Sequence, residues 1–398
     1  MPQKILLKRA LAPDVLEGAR QFPVVAILGP RQSGKTTLAR MIFKKHTYVN
    51  LEELDVREAA VKDPRTFIIA HRNTQGLIID EFQHVPSLLS YIQALVDEEQ
   101  KPGAFILTGS QNFLMNQSIS QSLAGRISIH TLLPLSIAEL SKNKLVPREV
   151  EPLLYQGCYP AIYAKNIDPK MLYKNYLQTY IERDVPQLTH VGDLTTFQTF
   201  IALCAARIGQ LLNITSLGNE CGISDNTAKR WLSILEASYI IFLLRPYHTN
   251  FGKRLVKTPK LYFYDTGLAC QLLKIKPDTL ALDPNRGGLF ESLIISEMVK
   301  TYYNRGELPR IYFWRDKTGN EVDCLIDEGK KIIALEVKAG RTTSRRFFEG
   351  IEHWQSLVEN KSTASFVVFA GSKQQARGYA NLVSWQNMNS IDHEIFGS

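Results

Sequence analysis

The sequence predicts an α/β protein in which a parallel β-sheet near the N-terminus is followed by a helical region and then by a second α/β domain. Three observations support this fold class. An apolar run at residues 24–28 leads through a glycine-containing loop into a helical pattern, giving the order strand, loop, helix. Two further apolar runs, at 77–79 and 104–107, each end in polar residues. Near the C-terminus, an amphipathic helix at 290–299 precedes several apolar strands.

The composition is that of a globular protein with more than one core. A chain of 398 residues is too long for one ordinary core, so we expect roughly two to four domains. The formal charge of +8 favours an anionic partner. The five cysteines form no C-x-x-C pair, which argues against a zinc site or a disulfide framework. Because no apolar run has the length of a membrane span and the chain starts without a signal peptide, we expect a cytoplasmic protein with no membrane partner.

The loop after the first strand has the spacing of a phosphate-binding loop, G-x-x-x-x-G-K-T. Its glycines let the backbone turn tightly, so that N–H groups point at a phosphate. Lys35 adds a positive charge that serves binding and catalysis, and Thr36 offers a hydroxyl to Mg²⁺. The residues expected to bind the nucleotide are Gly29, Pro30, Arg31, Gln32, Ser33, Gly34, Lys35, Thr36 and Thr37. The sequence therefore predicts ATP and Mg²⁺ as cofactors.

The next two strands supply candidate catalytic residues. One ends in Asp80, which we expect to hold Mg²⁺, and Glu81, which we expect to orient the attacking water. The other leads to Ser110 and Asn112, either of which can sense the γ-phosphate. Because the carboxyl ends of parallel strands meet at one edge of a sheet, these residues and the loop predict a single site for hydrolysis.

These motifs resemble those of a known family, the AAA-type ATPases of bacteria and archaea that carry a C-terminal domain of uncharacterised function. The segments that carry the resemblance are 29–37, 77–86, 107–113, 122–139, 176–184, 250–254, 262–268 and 287–291. The resemblance spans nearly the whole chain and implies a P-loop AAA+ ATPase core. The expected domains are this core at 1–145, a helical lid at 146–203, a winged helix-turn-helix at 204–272 and a nuclease-like domain at 273–398.

Arg126 follows a glycine near the end of the expected ATPase core. Related ATPases often place an arginine here that stabilises transition-state charge in a neighbouring subunit. That role would require a homo-oligomer. The alternative is a surface arginine after the glycine that ends a helix, and both interpretations stay open at this stage.

Residues 214–235 predict a helix-turn-helix, with Ser224 or Asp225 capping the second helix. Apolar strands at 240–244 and 261–264 then predict a winged helix with a basic wing. The residues expected to neutralise DNA phosphates are Lys229, Arg230, Lys253, Arg254 and Lys257, with Lys260 grouped among them. The alternatives are a protein-docking module and a structural spacer with a solvated basic face.

The C-terminal pattern of one helix and three strands resembles the PD-(D/E)xK nuclease core, an α/β restriction-endonuclease-like fold. Asp323 and Glu336 can share Mg²⁺, and Glu291 can reach the site from the helix. Lys338 can position or help to deprotonate the attacking water. Val322 departs from the pattern, which has proline at that position. The alternative is a salt-linked acidic pair with Lys338 on a solvated strand.

Together these features predict an ATP-hydrolysing AAA+ protein that associates with DNA, in which the nucleotide state repositions the winged helix and the nuclease-like domain. Two alternatives stay open. One is a Mg²⁺-dependent DNA nuclease gated by ATP. The other is a nucleotide-switched scaffold that binds protein partners and has no DNA activity.

Overall fold

The computed structural model describes residues 6–110, 122–181, 194–247, 257–329, 331–358, 362–372, 375–377 and 380–397. The elements of its N-terminal part are α1 (Ala12–Gln21), β1 (Val24–Gly29), α2 (Lys35–Ile42), β2 (Thr47–Asn50), α3 (Leu54–Lys62), α4 (Pro64–His71), β3 (Leu77–Asp80), α5 (Leu88–Glu99), β4 (Phe105–Ser110) and β5 (Ile127–Thr131). The strands form a five-stranded parallel sheet in the order β2-β3-β4-β1-β5. The predicted parallel sheet is therefore confirmed.

Both faces of this sheet are covered by helices. Val24 and Ala26 of β1 belong to an apolar cluster that includes residues of α3, α4 and α5. Val25 and Ile27 point the other way and pack with residues of α1 and α2. Since both faces are buried, the central strands are continuously apolar, and polar side chains are placed at the strand ends.

The carboxyl ends of β1, β3 and β4 meet at one edge of the sheet. Asp80 at the end of β3 is in register with Thr108 of β4, and Gly29 at the end of β1 is in register with Ser110. The predicted phosphate loop and the predicted catalytic residues are thereby brought to the same edge, where ligands of open α/β sheets bind.

The middle of the chain is mostly helical. Its elements are α6 (Ile137–Lys142), α7 (Val150–Gln156), α8 (Pro160–Lys165), α9 (Pro169–Thr179), α10 (Leu194–Ala206), α11 (Ile214–Cys221), α12 (Asp225–Ala237), the antiparallel strands β6 (Ile241–Leu244) and β7 (Lys260–Phe263), and α13 (Thr266–Leu272). Across the described ranges, no helix has both the length and the apolar character needed to cross a membrane.

Helices α11 and α12 lie where the sequence predicts a helix-turn-helix, and residues 222–224 connect them. Gly222 ends α11 in the left-handed conformation with φ 68°, and the Ser224 side chain caps the first turn of α12. Trp231 of α12 packs edge-on against Phe197 and Phe200 of α10, with ring centroids 5.0 and 5.2 Å away. These contacts bury one face of α12 and leave its opposite face in solvent.

The C-terminal part is a second α/β unit. Its elements are α14 (Arg286–Tyr303), β8 (Ile311–Arg315), β9 (Glu321–Asp327), β10 (Lys331–Lys338), α15 (Glu349–Leu357), β11 (Ser362–Phe369), β12 (Gln375–Arg377), β13 (Ala380–Ser384) and α16 (Asn389–Phe396). The strands form a mixed sheet in the order β12-β13-β11-β10-β9-β8. Strands β8, β9 and β10 form antiparallel pairs in that order, whereas β10 and β11 run parallel.

One apolar cluster joins the middle and the C-terminal parts of the chain. It includes Leu154 of α7, Phe200 of α10, Leu293 of α14 and Leu335 of β10, and it continues to Ile391 of α16. The helices after β5, the helix-turn-helix and the C-terminal sheet therefore pack around a shared core.

Candidate active site

The loop between β1 and α2 has the backbone conformation that a phosphate-binding loop needs. Gly29 has φ 148° and Gly34 has φ 96°, in the left-handed region that favours glycine. A Cβ atom at Gly29 would overlap the carbonyl oxygen of Leu132. Helix α2 begins at Lys35, directly after Gly34. The loop therefore leads into a helix N-terminus, whose N–H groups and dipole attract an anion.

The ammonium group of Lys35 is buried inside this loop. Its Nζ donates hydrogen bonds to the carbonyl oxygens of Gly29, at 3.1 Å, and Pro30, at 2.8 Å. A phosphate oxygen is a stronger acceptor for an ammonium group than a neutral carbonyl. Lys35 is thus held at the loop in a position from which it can turn to a bound phosphate.

Asp80 lies next to the loop and accepts hydrogen bonds from three hydroxyl groups. Thr36 Oγ1 lies 3.0 and 2.9 Å from its two oxygens, Tyr48 donates at 2.8 Å, and Thr108 also donates. Burial, and then the charge of Asp80, raise the pKa of Tyr48, so this hydroxyl stays a donor. A carboxylate beside a threonine hydroxyl is the donor set that Mg²⁺ takes, and Asp80 and Thr36 fit that ion.

Glu81 follows Asp80 with φ 53°, which turns the chain sharply away from β3. The side-chain amide of Gln83 donates to Glu81 and, at 3.2 Å, to Ser110 Oγ. Gln83 therefore joins the expected water-orienting carboxylate to one expected phosphate sensor, and sequence reasoning missed it. Asn112, the other expected sensor, lies outside the described residues.

A buried arginine beneath the loop was also missed. The Arg9 guanidinium donates to the carbonyl oxygens of Ser33, at 2.7 Å, and Leu133, at 2.6 Å. Its Nε forms an ion pair with Glu139 at 3.0 Å, with side chains only 5% and 1% exposed. Glu139 Oε2 in turn accepts from the backbone N–H of Ser136 at 2.9 Å. Arg9 thus fastens the phosphate loop to the start of helix α6.

A cavity of about 500 Å³ opens beside the loop. One side is formed by residues 32–37 and Glu81, and the other side by helix α8 and Ile167. Apolar groups in its lining are contributed by Leu6, Leu7, Met41, Pro160, Ala161, Ala164 and Ile167. A cavity with phosphate-binding groups at one end and apolar groups elsewhere can hold a nucleoside triphosphate.

Arg126 lies at the surface and pairs with a carboxylate of a helix that covers the parallel sheet. Its guanidinium binds both carboxylate oxygens of Asp97 on α5, one of them at 2.9 Å, and donates to the carbonyl oxygen of Ala124 at 3.1 Å. The expected role of Arg126 in a neighbouring subunit stays a prediction.

The residues expected to contact DNA fall into three groups. Lys229 and Arg230 are exposed on α12, and Lys257 is exposed shortly before β7. Lys253 and Arg254 lie outside the described residues. The grouping of Lys260 with these cations was wrong, because its side chain is buried among carboxylates.

Lys260 occupies the centre of the C-terminal carboxylate cluster. Its Nζ lies 2.9 Å from Glu291 Oε1 and 3.8 Å from Asp323 Oδ1, and it also pairs with Glu321. One oxygen from each of these three carboxylates lies within 4.8 Å of the others. Burial by itself lowers the pKa of Lys260, but the charges of the carboxylates outweigh burial and raise it. Sequence reasoning missed Glu321, although its spacing of two from Asp323 places both on one face of β9.

The expected metal ligands Glu291 and Asp323 therefore meet, but around an ammonium group. Divalent ions such as Mg²⁺ and Ca²⁺ bind carboxylate oxygens at about 2.0–2.6 Å. With Lys260 Nζ already 2.9 Å from Glu291, a divalent ion on the same oxygens would stand in contact with a like charge. In this arrangement the residues do not fit a divalent ion, and Lys260 supplies the positive charge.

Glu336 and Lys338 pair with each other beside this cluster, where Asp323 accepts the backbone N–H of Val337 at 2.8 Å. Lys338 Nζ donates to Glu336 Oε1, while Glu336 Oε2 is buried and has no hydrogen-bond partner among the described residues. Burial, and then the charge of Asp323, raise the pKa of Glu336. The sequence alternative placed such a salt-linked pair on a solvated strand, whereas β10 is buried along most of its length.

Family models match three consecutive parts of the chain. A model described as an AAA domain matches residues 21–141. Two others, each described as a domain of unknown function, match residues 147–279 and 286–388. The N-terminal part of this protein is therefore an AAA-type P-loop ATPase domain.

Two curated relatives match most of the chain. They are uncharacterized proteins of Mycobacterium bovis and Mycobacterium tuberculosis, each 29% identical over 346 residues. The match covers 85% of this chain and 76% of each relative.

Solved structures show weaker similarity. A Walker-type ATPase of Pyrococcus abyssi is 16% identical, with 68% of this chain and 98% of that chain covered and a TM-score of 0.45. The RuvB Holliday junction branch migration motor of Thermotoga maritima is 16% identical, with 59% and 87% covered and a TM-score of 0.29. The Aeropyrum pernix Orc1 protein in complex with DNA is 14% identical, with 68% and 94% covered and a TM-score of 0.30. Similarity at this level carries no argument about the action of this chain.

Proposed function

We propose that this protein binds and hydrolyses ATP at the edge of its parallel sheet and that it associates with DNA. The observation that carries the proposal of ATP hydrolysis is the contact of the Thr36 hydroxyl with the buried carboxylate of Asp80, beside Lys35 and Glu81. These groups supply what phosphoryl transfer to water requires, namely a phosphate cradle, a metal-binding pair and a carboxylate that orients water.

Each residue has a distinct task in hydrolysis. The loop and the N-terminus of α2 bind phosphate oxygens, and Lys35 neutralises charge on them. Thr36 and Asp80 would hold Mg²⁺, which neutralises the charge that develops on the phosphates. Glu81 orients the attacking water and accepts its proton, and Gln83 keeps the Glu81 carboxylate directed towards Ser110.

The nucleotide state can reach the rest of the molecule through helix α8, which lines the cavity. Cys158, just before α8, donates its backbone N–H to Asp265 Oδ2 at 2.7 Å, and Tyr173 donates to Asp265 Oδ1 at 2.7 Å. Asp265 caps α13, directly after strand β7. A shift of α8 on nucleotide binding would therefore act on β7 and on the segments packed around it.

We further propose that α10 to α12 and the β6–β7 pair form a winged helix that contacts DNA. The exposed side chains of Lys229 and Arg230 on α12, with Lys257 before β7, support this proposal. Such cations bind phosphates without reading sequence, so the expected affinity depends strongly on salt. A nuclease function is not proposed, because Lys260 occupies the place that a catalytic metal would need.

The test is steady-state ATP hydrolysis by the full chain with no DNA, with duplex DNA and with single-stranded DNA, at low and high salt. Lys35→Ala serves as the blank. Turnover that DNA stimulates at low salt, with stimulation lost at high salt, would support a DNA-associated ATPase. Turnover that DNA does not change would favour the nucleotide-switched scaffold, and absence of turnover above the blank would contradict ATP hydrolysis itself.

A further inference from the structure

The cation in the C-terminal carboxylate cluster comes from a different part of the chain than the carboxylates. Lys260 is the first residue of β7, whereas Glu291 belongs to α14, and Glu321 and Asp323 belong to β9. The Lys260 side chain is only 4% exposed, so these carboxylates enclose a charge that solvent hardly reaches.

Strand β7 is fixed to α14 at successive positions. Lys260 and Tyr262 lie on the same side of the strand, and both bind Glu291 Oε1, at 2.9 and 2.5 Å. Phe263 donates its backbone N–H to Ser292 Oγ at 3.1 Å, and the Ser292 hydroxyl donates to the Phe263 carbonyl at 2.9 Å. The position of Lys260 is therefore set by a docked strand and not by a free side chain.

Lys260 is one of two cations that pair directly with the three carboxylates of the cluster among the described residues. Glu321 also accepts from Arg315 Nη1 at 2.7 Å, so two direct cationic partners face three carboxylates. Without Lys260, Arg315, which is itself 37% exposed, would be the only direct ion-pair partner of these three carboxylates within the described ranges, and Lys338 would act on Asp323 and Glu291 from farther away. Buried carboxylates that lose their counter-ion are strongly unfavourable, so the cluster requires a cation at this place.

We propose that Lys260 is the resident cation of this cluster and that its ammonium group excludes a divalent metal ion from Glu291, Glu321 and Asp323. The ammonium group and a divalent ion need the same three carboxylates, and their positive charges repel. The C-terminal site is then closed to metal as long as β7 stays docked on α14. This inference goes beyond ATP hydrolysis and does not depend on it.

The test compares Mn²⁺ binding by the full-length protein with Lys260 present and removed. The variant is Lys260→Met, which keeps most of the side-chain volume without the charge. Bound Mn²⁺ is counted by electron paramagnetic resonance without nucleotide, and thermal unfolding is followed with and without Mn²⁺. We expect Lys260→Met to bind one Mn²⁺ per chain more than the wild type and to unfold at a higher temperature when Mn²⁺ is added.

Two controls assign the extra ion to this cluster. Lys260→Arg keeps the positive charge and should gain no ion. The double variant Lys260→Met/Asp323→Asn should lose the extra ion and the stabilisation by Mn²⁺, whereas binding elsewhere, including at Asp80, stays as in the wild type. If Lys260→Met is purified only in an unfolded state, Lys260→Gln replaces it, with its neutral amide as a partner for the carboxylates.

Two results would overturn the proposal. The wild type could bind a Mn²⁺ ion that Asp323→Asn removes, which would mean that Lys260 does not exclude metal. Alternatively, the folded neutral variants could gain no ion, which would mean that the carboxylates have no affinity for a divalent ion that Lys260 needs to oppose.

Discussion

The carboxylate of Glu297 on helix α14 accepts a hydrogen bond from the backbone N–H of Ile137 at 2.8 Å, across 160 residues of sequence. Ile137 is the first residue of α6, so a side chain of the C-terminal unit satisfies the N-terminus of a helix that follows the ATPase sheet. Glu297 is buried, and burial raises its pKa from an ordinary 4.5 to about 7.

This relationship predicts a pH dependence of stability. Between pH 4.5 and about 7 the folded protein holds a proton on Glu297 that the unfolded chain has released, so this residue makes stability fall as pH rises. Glu297→Gln keeps an acceptor oxygen but does not titrate. As pH rises from 4.5 to 8, the wild type should lose stability that Glu297→Gln keeps. The free energy of unfolding of the variant minus that of the wild type should therefore increase by on the order of 3 kcal/mol. Urea unfolding at several pH values measures this, with the exposed Glu58→Gln as control, and parallel curves for wild type and Glu297→Gln would contradict it.

Two substitutions separate nucleotide binding from hydrolysis. Lys35→Ala should abolish tight binding of ATP, because the loop loses its only side-chain ammonium group. Glu81→Gln should bind ATP normally and turn over roughly 10²- to 10⁴-fold more slowly, because the water loses its general base. Binding of a fluorescent ATP analogue and release of phosphate measure the two effects. The exposed Glu53→Gln is the control, and normal turnover in Glu81→Gln would remove that residue from the mechanism.

Because Gln83 hydrogen bonds to Glu81, we expect it to position that carboxylate, and its removal should act through Glu81. Gln83→Ala loses about 1–2 kcal/mol of hydrogen bonding, so kcat should fall about 10-fold with little change in ATP affinity. In the Glu81→Gln background the same substitution should have almost no further effect on kcat. Steady-state kinetics of the single and double variants measure this, with the exposed Gln75→Ala as control. Additive losses would show that Gln83 acts independently of Glu81.

Removing the buried arginine beneath the phosphate loop should destabilise the protein. Arg9→Met leaves the Glu139 carboxylate buried without its partner, at a cost of about 3–5 kcal/mol. Arg9→Met/Glu139→Gln should recover part of this loss, because the unpaired charge is gone. Arg20→Met, which breaks an exposed pair with Glu17, should leave stability almost unchanged, because solvent screens that pair. Urea unfolding compares all three variants, and a double variant no more stable than Arg9→Met would contradict the buried-charge explanation.

The proposed DNA contacts predict a change in salt dependence. The paired substitution Lys229→Ala/Arg230→Ala removes two exposed cations from α12. If both side chains contact phosphates, the plot of the logarithm of the duplex-DNA binding constant against the logarithm of the salt concentration should become shallower by about 2 in slope. Lys44→Ala/Lys45→Ala removes two adjacent exposed cations elsewhere and should leave the slope unchanged. Fluorescence anisotropy at several salt concentrations measures this, and equal slopes for all three proteins would exclude the α12 face.

The features that sequence predicted best are those whose residues are adjacent in the chain. The phosphate loop lies within nine residues, and Asp80 follows directly from its apolar strand, so local spacing is sufficient to recognise both. The cap of α12 at Ser224 depends on the same short range.

What the sequence did not reveal depends on contacts between distant residues. Arg9 meets Glu139 across 130 positions, and nothing near either residue signals the pair. Lys260 looked like one more cation of a basic segment, because local charge does not show that β7 docks on α14. The partner of a charged side chain, which decides its role, becomes visible only in the folded chain.

The shared apolar core after β5 also has a consequence for how this architecture can be inherited. Leu154, Phe200, Leu293 and Leu335 bury one another across the helical middle and the C-terminal sheet. A recombination event that replaced only the C-terminal unit would expose the apolar faces that the other segments turn towards it. The helical middle and the C-terminal sheet must therefore stay complementary to each other, whereas the parallel sheet also buries two apolar clusters of its own.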